Sequence, residues 1–458
     1  MSAIDHGLLS PVSSGHDDLV SDAAFLDAAI RAEYDLVEAY AAIGLAPARV
    51  PEEVRRALGL DHPGRRPSDG VDLDGLVAAS VAGGNPVIPL VSALKAQVPA
   101  DCRVWIHRGA TSQDIWDTAV MTVAHAAVAR VRDDVAGTAV GLRRLAAAHR
   151  DDVAAARTLT QHAVPTTIGA RAAGWLRAVD RAAARLEELA FPVQLAGAGG
   201  TLASFVEITG SAESARGLVA AFAGAGRVPA APWHVTRWPV TELGDALVQT
   251  LDALGKLAAD VATLSRTEIG ELAEGVGGGS SAMPQKQNPA EAVLIRSAAL
   301  RAPQLGATLH LAAGLAVDER PDGAWHAEWP TLRELLRLAL GAAAHAASLT
   351  AHLRVDAGAA RANLAASDGL IVAERLSLVL GPLVGAGEVA AIVADVGRGA
   401  DLPARVRAAV SAAGLDLDVQ ALVDPANYTG LSGALADAAR EAGASPGAEA
   451  PETGGVRA

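Results

Sequence analysis

Gly277-Gly278-Gly279-Ser280-Ser281-Ala282-Met283-Pro284-Gln285-Lys286-Gln287-Asn288-Pro289 joins two opposite signals in thirteen residues. Three glycines and two serines make the first half a loop, because glycine accepts backbone angles that other residues avoid. The second half reads as a helix start. Asn288 suits the N-cap, Pro289 the first helical position and Glu291 the third, ahead of an apolar run. A helix start offers unpaired N–H groups and a positive dipole end to an anion. Lys286 stands two residues before that cap. The chain has three lysines, Lys95, Lys256 and Lys286, and is otherwise basic through arginine. Arginine does not replace a compact, rotatable ammonium. The residues alone leave two readings open: a surface loop ending in an ordinary cap, or an anion site.

Two earlier stretches share this chemistry. In His107-Arg108-Gly109-Ala110-Thr111-Ser112-Gln113-Asp114, Thr111 and Asp114 form a capping box and open a helix reaching about His149. A plain cap accounts for Thr111 and Asp114 but not for His107 and Arg108. In Thr158-Leu159-Thr160-Gln161-His162-Ala163-Val164-Pro165-Thr166-Thr167, Pro165 breaks one element and Thr166 caps a helix through Glu188. Arg171 and Trp175 follow on one face of that helix, four apart. Arg171 reads as a solvated helix charge or as a carboxylate ligand. His162 reads as structural or as a proton carrier.

These three stretches resemble the shared regions of the fumarase/aspartase superfamily. Gly279 to Pro289 is similar to its signature loop, and His107 to Asp114 to its first region. Thr158 to Pro165 is similar to its second. The resemblance implies Ser280 as general base on a loop that closes over substrate. It implies Lys286 and Asn288 beside a doubly charged intermediate, with Met283 in the same loop. Thr111 and Ser112 would hold a substrate carboxylate, with His107, Arg108, Thr160, Gln161 and Arg171 around it. Asn85, in Gly83-Gly84-Asn85-Pro86, resembles a segment near the substrate in the cycloisomerase branch. His162 is the candidate catalytic histidine, because Leu159 stands where the adenylosuccinate and argininosuccinate lyases carry their general acid. The segment Gly323-Ala324-Trp325-His326-Ala327-Glu328-Trp329 is closest to the 3-carboxy-cis,cis-muconate cycloisomerase branch. That activity is expected, with a fumarate-releasing lyase on a substituted succinate, of the nitrosuccinate or the adenylosuccinate/argininosuccinate type, as alternative. A silent structural bundle is a third reading, which Ser280, Lys286 and Asn288 oppose. Gln285 and Gln287 depart from the His and Arg of many cycloisomerases.

Composition sets the frame. The 458 residues are 51% apolar and only 3% aromatic, an Ala/Leu-rich mixture that favours closely packed helices. An all-α fold is expected. The anticipated parts are an N-terminal helical domain (1–105), a central long-helix bundle (106–353) with the loop 277–289, a C-terminal helical domain (354–440) and a disordered tail (441–458). The resemblance adds a homotetramer with a twenty-helix core and sites built from three subunits. A net charge of −14 argues against nucleic acid or an anionic membrane as partner. One cysteine, Cys102, excludes an internal disulfide. No ligand set suggests a metal, and no fingerprint suggests a cofactor. The first residues lack the order of a secretion signal, so a cytoplasmic protein acting on a small di- or tricarboxylate is expected.

Overall fold

The computed structural model describes residues 7–224, 227–275, 278–279, 283 and 286–441. Ser280 and the tail from 442 onward lie outside the described residues. The fold is all-α, with three short two-stranded ladders. Its residues fall into two compact units. The first comprises 1–133, 184–252 and 297–344, and the second 134–183, 253–296 and 345–458. Each passage of the chain from one to the other falls inside a helix.

In the first unit, helix Asp22–Ala42 is capped by Ser21, whose hydroxyl accepts the Ala24 N–H at 3.3 Å. Its inner face buries Leu26, Ile30, Leu36, Val37 and Tyr40. Each such side chain contributes about 1.5–3 kcal/mol on leaving water. Residues 7–21 turn repeatedly and bury Val12 and Ser13. Gly341 makes room for this, since a Cβ there would lie 1.9 Å from the Val12 carbonyl oxygen.

Helix Ser112–Ala148 matches the expected span. A further long helix is Trp238–Leu264. It stops in a turn that ends at Gly270, whose φ of 63° suits glycine. Helix Gly323–His352 carries Trp325, His326 and Trp329 on its first turns. Their rings pack together, with Trp325 and Trp329 centroids 4.7 Å apart at 86°. Pro330 sits inside this helix, and Pro303 inside Ala290–Gly314.

The second unit holds the largest departure from expectation. Val153–Thr158 and Gln161–Thr167 are strands that pair antiparallel. Pro165 therefore lies within a strand, and Thr167, not Thr166, caps the next helix, accepting the Ala170 N–H at 3.0 Å. A two-residue turn at Leu159 and Thr160 closes the hairpin, with φ of 47° and 71°. The C-terminal helices of this unit pack around Leu376, Leu380, Ile392, Val396 and Val406.

Candidate active site

Within the first unit, the candidate groups gather at the start of Ser112–Ala148. Asp114, fully buried, is the hub. Its carboxylate accepts the Thr111 N–H at 3.0 Å, the Ala196 N–H at 2.9 Å, the Gly197 N–H at 3.0 Å and His234 Nε2 at 2.9 Å. One carboxylate thus joins the Thr111–Ser112 turn to the glycine-rich segment at 197–200. The sequence showed Asp114 only as half of a capping box. The distant donors were invisible because they lie more than 80 residues away.

The Thr111 hydroxyl accepts a hydrogen bond from Arg320 Nη2, which also reaches the Ala198 carbonyl at 3.3 Å. Sequence reading missed Arg320. With this lone pair occupied, the Thr111 hydroxyl hydrogen is left to donate elsewhere. Ser112, half-buried, is the first helical residue. His107 takes a positive φ of 59° and meets the buried Glu33 at 2.7 Å. Burial opposes charge on its ring, but the hydrogen bond and charge of Glu33 win and hold its pKa above the usual imidazole value. Arg108 stacks over Trp105 at 4.7 Å, while its carbonyl accepts the Tyr40 hydroxyl at 2.8 Å. Asn85 spends its amide on the turn it occupies, bonding Val87 N–H and the Gly83 carbonyl.

Within the second unit, the hairpin turn presents Thr160, Gln161 and His162, all exposed. His162 pairs in register with Arg157. Partial burial, then the Arg157 charge, push its pKa below the usual imidazole value. His162 is therefore neutral near pH 7. If it donates a proton as general acid, kcat/KM falls with rising pH through a limb that lies below pH about 6.5. His162→Gln should abolish that limb in a pH–rate profile, and an unchanged limb would remove His162 from the chemistry.

Arg171 has partners inside the chain. It donates to Glu271 Oε2 at 3.3 Å and to the Ala155 carbonyl at 3.0 Å. Arg157 grips the same carboxylate.

The segment around Lys286 also differs from the sequence reading. Gly278 and Gly279 pair with Asn288 and Gln287, so the two arms of the segment meet in a ladder. Lys286 and Met283 are exposed and Asn288 half-buried. Asn288 is not the N-cap, because it lies in the strand Gln287–Asn288 and the helix begins at Ala290. Glu274 caps it instead, accepting the Ala292 N–H at 2.8 Å and the Glu291 N–H at 3.1 Å. The helix end expected to meet a substrate anion is met by this chain's own carboxylate. Burial raises the Glu274 pKa although those N–H groups oppose it.

Among the described residues, Glu53, Asp101 and Cys102 approach closely enough to share an ion. Arg49 already pairs with both carboxylates.

The lyase family model matches residues 80–303, a span holding all three stretches. A nitrosuccinate lyase of Streptomyces davaonensis is 45% identical over 459 residues, covering 96% of this chain and 95% of that one. This chain belongs to the fumarase/aspartase superfamily. A second superfamily relative, the 3-carboxy-cis,cis-muconate cycloisomerase of Bradyrhizobium diazoefficiens, is 36% identical across 80% of this chain and 84% of its own. The crystal structure of a 3-carboxy-cis,cis-muconate lactonizing enzyme from Pseudomonas putida superposes with a TM-score of 0.85 at 30% identity, covering 95% and 98% of the two chains. Among the described residues, no helix is long and apolar enough to cross a membrane.

Proposed function

We propose that this superfamily member is a lyase that eliminates nitrite from nitrosuccinate and releases fumarate. The observation that carries the reading is the 45% likeness to a nitrosuccinate lyase along 96% of the chain. The site chemistry fits. Leu159, at the hairpin tip, is 96% exposed and cannot donate a proton. With no acid at this position, a leaving group that departs as a stable anion is favoured, which nitrite is and an amine is not.

Ser280 takes the proton from the carbon beside one carboxylate. The C–H electron pair first enters that carboxylate as a doubly charged intermediate. It then forms the C=C bond while the C–N pair leaves with nitrite. Lys286 and Asn288 face the added charge, a role worth more in a water-poor site than in solution. Thr111 and Ser112 hold the other carboxylate with Arg320, and Arg108 suits the nitro group as it would a carboxylate. The functional form is a homotetramer whose sites combine one shared region from each of three subunits.

The second reading is cyclisation of 3-carboxy-cis,cis-muconate, where an internal carboxylate adds to a double bond. The 36% relative and the 0.85 superposition favour it. Gln285 and Gln287 lean away from it. The test is direct. On nitrosuccinate, fumarate and nitrite should appear one to one. Loss of muconate absorbance without nitrite release would overturn the first reading in favour of the second.

A further inference from the structure

The second unit contains a cavity of about 430 Å³ between the hairpin, helix Ile168–Glu187, helix Trp238–Leu264 and helix Ser432–Glu441. Arg157, Arg171 and Lys256 line it, with the hydroxyls of Thr166 and Ser432 at 3.5 Å from each other. Lys256 is one of the chain's three lysines. Of the candidate substrate groups in this unit Arg171 lines the cavity, while Thr160, Gln161, His162, Lys286 and Asn288 do not.

The charges do not cancel. Arg157 and Arg171 share Glu271, which is fully buried and also accepts from Asn363 at 3.0 Å. Lys256 pairs with Asp260 at 2.5 Å, and Asp260 also accepts the Trp175 indole N–H at 2.7 Å. Three cations thus stand against two carboxylates, in a chain whose net charge is −14. Both carboxylates are held by other groups, so neither can turn to satisfy the remaining charge.

We propose that this cavity binds a small dianion, a phosphate or a short dicarboxylate, at a site that includes Arg171 but none of Thr160, Gln161, His162, Lys286 and Asn288. The two arginines meet it with N–H groups that Glu271 and the Ala155 carbonyl do not take, and Lys256 adds its ammonium from Trp238–Leu264. Thr166 can supply a hydroxyl donor, while the Ser432 hydroxyl already donates to the Thr429 carbonyl at 2.7 Å. Burial lowers the pKa of Arg171 more than Glu271 restores it, so an added anion relieves a cation short of countercharge. Bound there, the anion ties the hairpin that carries Gln161 and His162 to two helices.

The test is calorimetric titration of the full chain with inorganic phosphate and, separately, succinate, at an ionic strength fixed with sodium chloride. At least one should bind in preference to chloride. Lys256→Gln should weaken that binding about tenfold, the worth of one charge-assisted hydrogen bond. Its melting temperature and its turnover in phosphate-free buffer should not change, because Lys256 is largely exposed. Phosphate binding alone assigns a phosphate ligand, and succinate binding lost in Lys256→Gln assigns a dicarboxylate. Binding of neither anion, or equal binding by Lys256→Gln, overturns the proposal. These binding arms read out even if nitrosuccinate is not turned over.

Discussion

Ser280→Ala cuts turnover by about 10²–10⁴, the usual worth of a positioned acid or base, and leaves the melting temperature unchanged. Ser280 lies outside the described residues, and its role comes from the family pattern. Its described flanks fit that role. The ladder of Gly278 and Gly279 with Asn288 and Gln287 brings both arms together. The substitution removes one oxygen from a segment whose ends are fixed by backbone bonds. Chemistry should therefore fall without loss of structure. Fumarate release measured beside a thermal melt separates the two. Near-normal turnover would require a different base.

Asp114→Ala should destabilise the first unit by about 3–5 kcal/mol, the cost of breaking a buried charged network from one side. Four donors lose their acceptor together: the N–H groups of Thr111, Ala196 and Gly197, and His234 Nε2. His234 Nδ1 already lacks a partner among the described residues, so the imidazole would lose its remaining anchor. Thermal and denaturant unfolding measure the loss. Any folded protein should also show a raised KM, because Thr111 and Arg320 lose their fixed separation. A melt within a degree or two of the parent would show that the hub matters little.

Much of this was legible in the sequence, and the limits have physical causes. Helix Ser112–Ala148 could be read because its cap and its apolar periodicity are local. The hairpin could not. Leu159-Thr160 lacks the Asn-Gly or Gly-X chemistry of a two-residue turn, and Pro165 argued against a strand. The true cap of Ala290–Gly314 is Glu274, sixteen residues before the helix, where no local rule looks. Asn288 and Pro289 mimicked a cap while Asn288 sits in a ladder. Arg320 escaped notice because its value comes from contact with Thr111, 209 residues away. The three motif stretches, by contrast, identified the family from residue order alone.

The Leu159–Thr160 turn has a consequence of its own. Two side-chain-bearing residues at positive φ store about 1–3 kcal/mol each, and a leucine standing in water gains nothing in return. An asparagine and a glycine would close the same hairpin with less strain. Nothing inside the hairpin thus explains a leucine at its apex. Exposed as it is, this leucine offers an apolar contact point that the hairpin itself does not use.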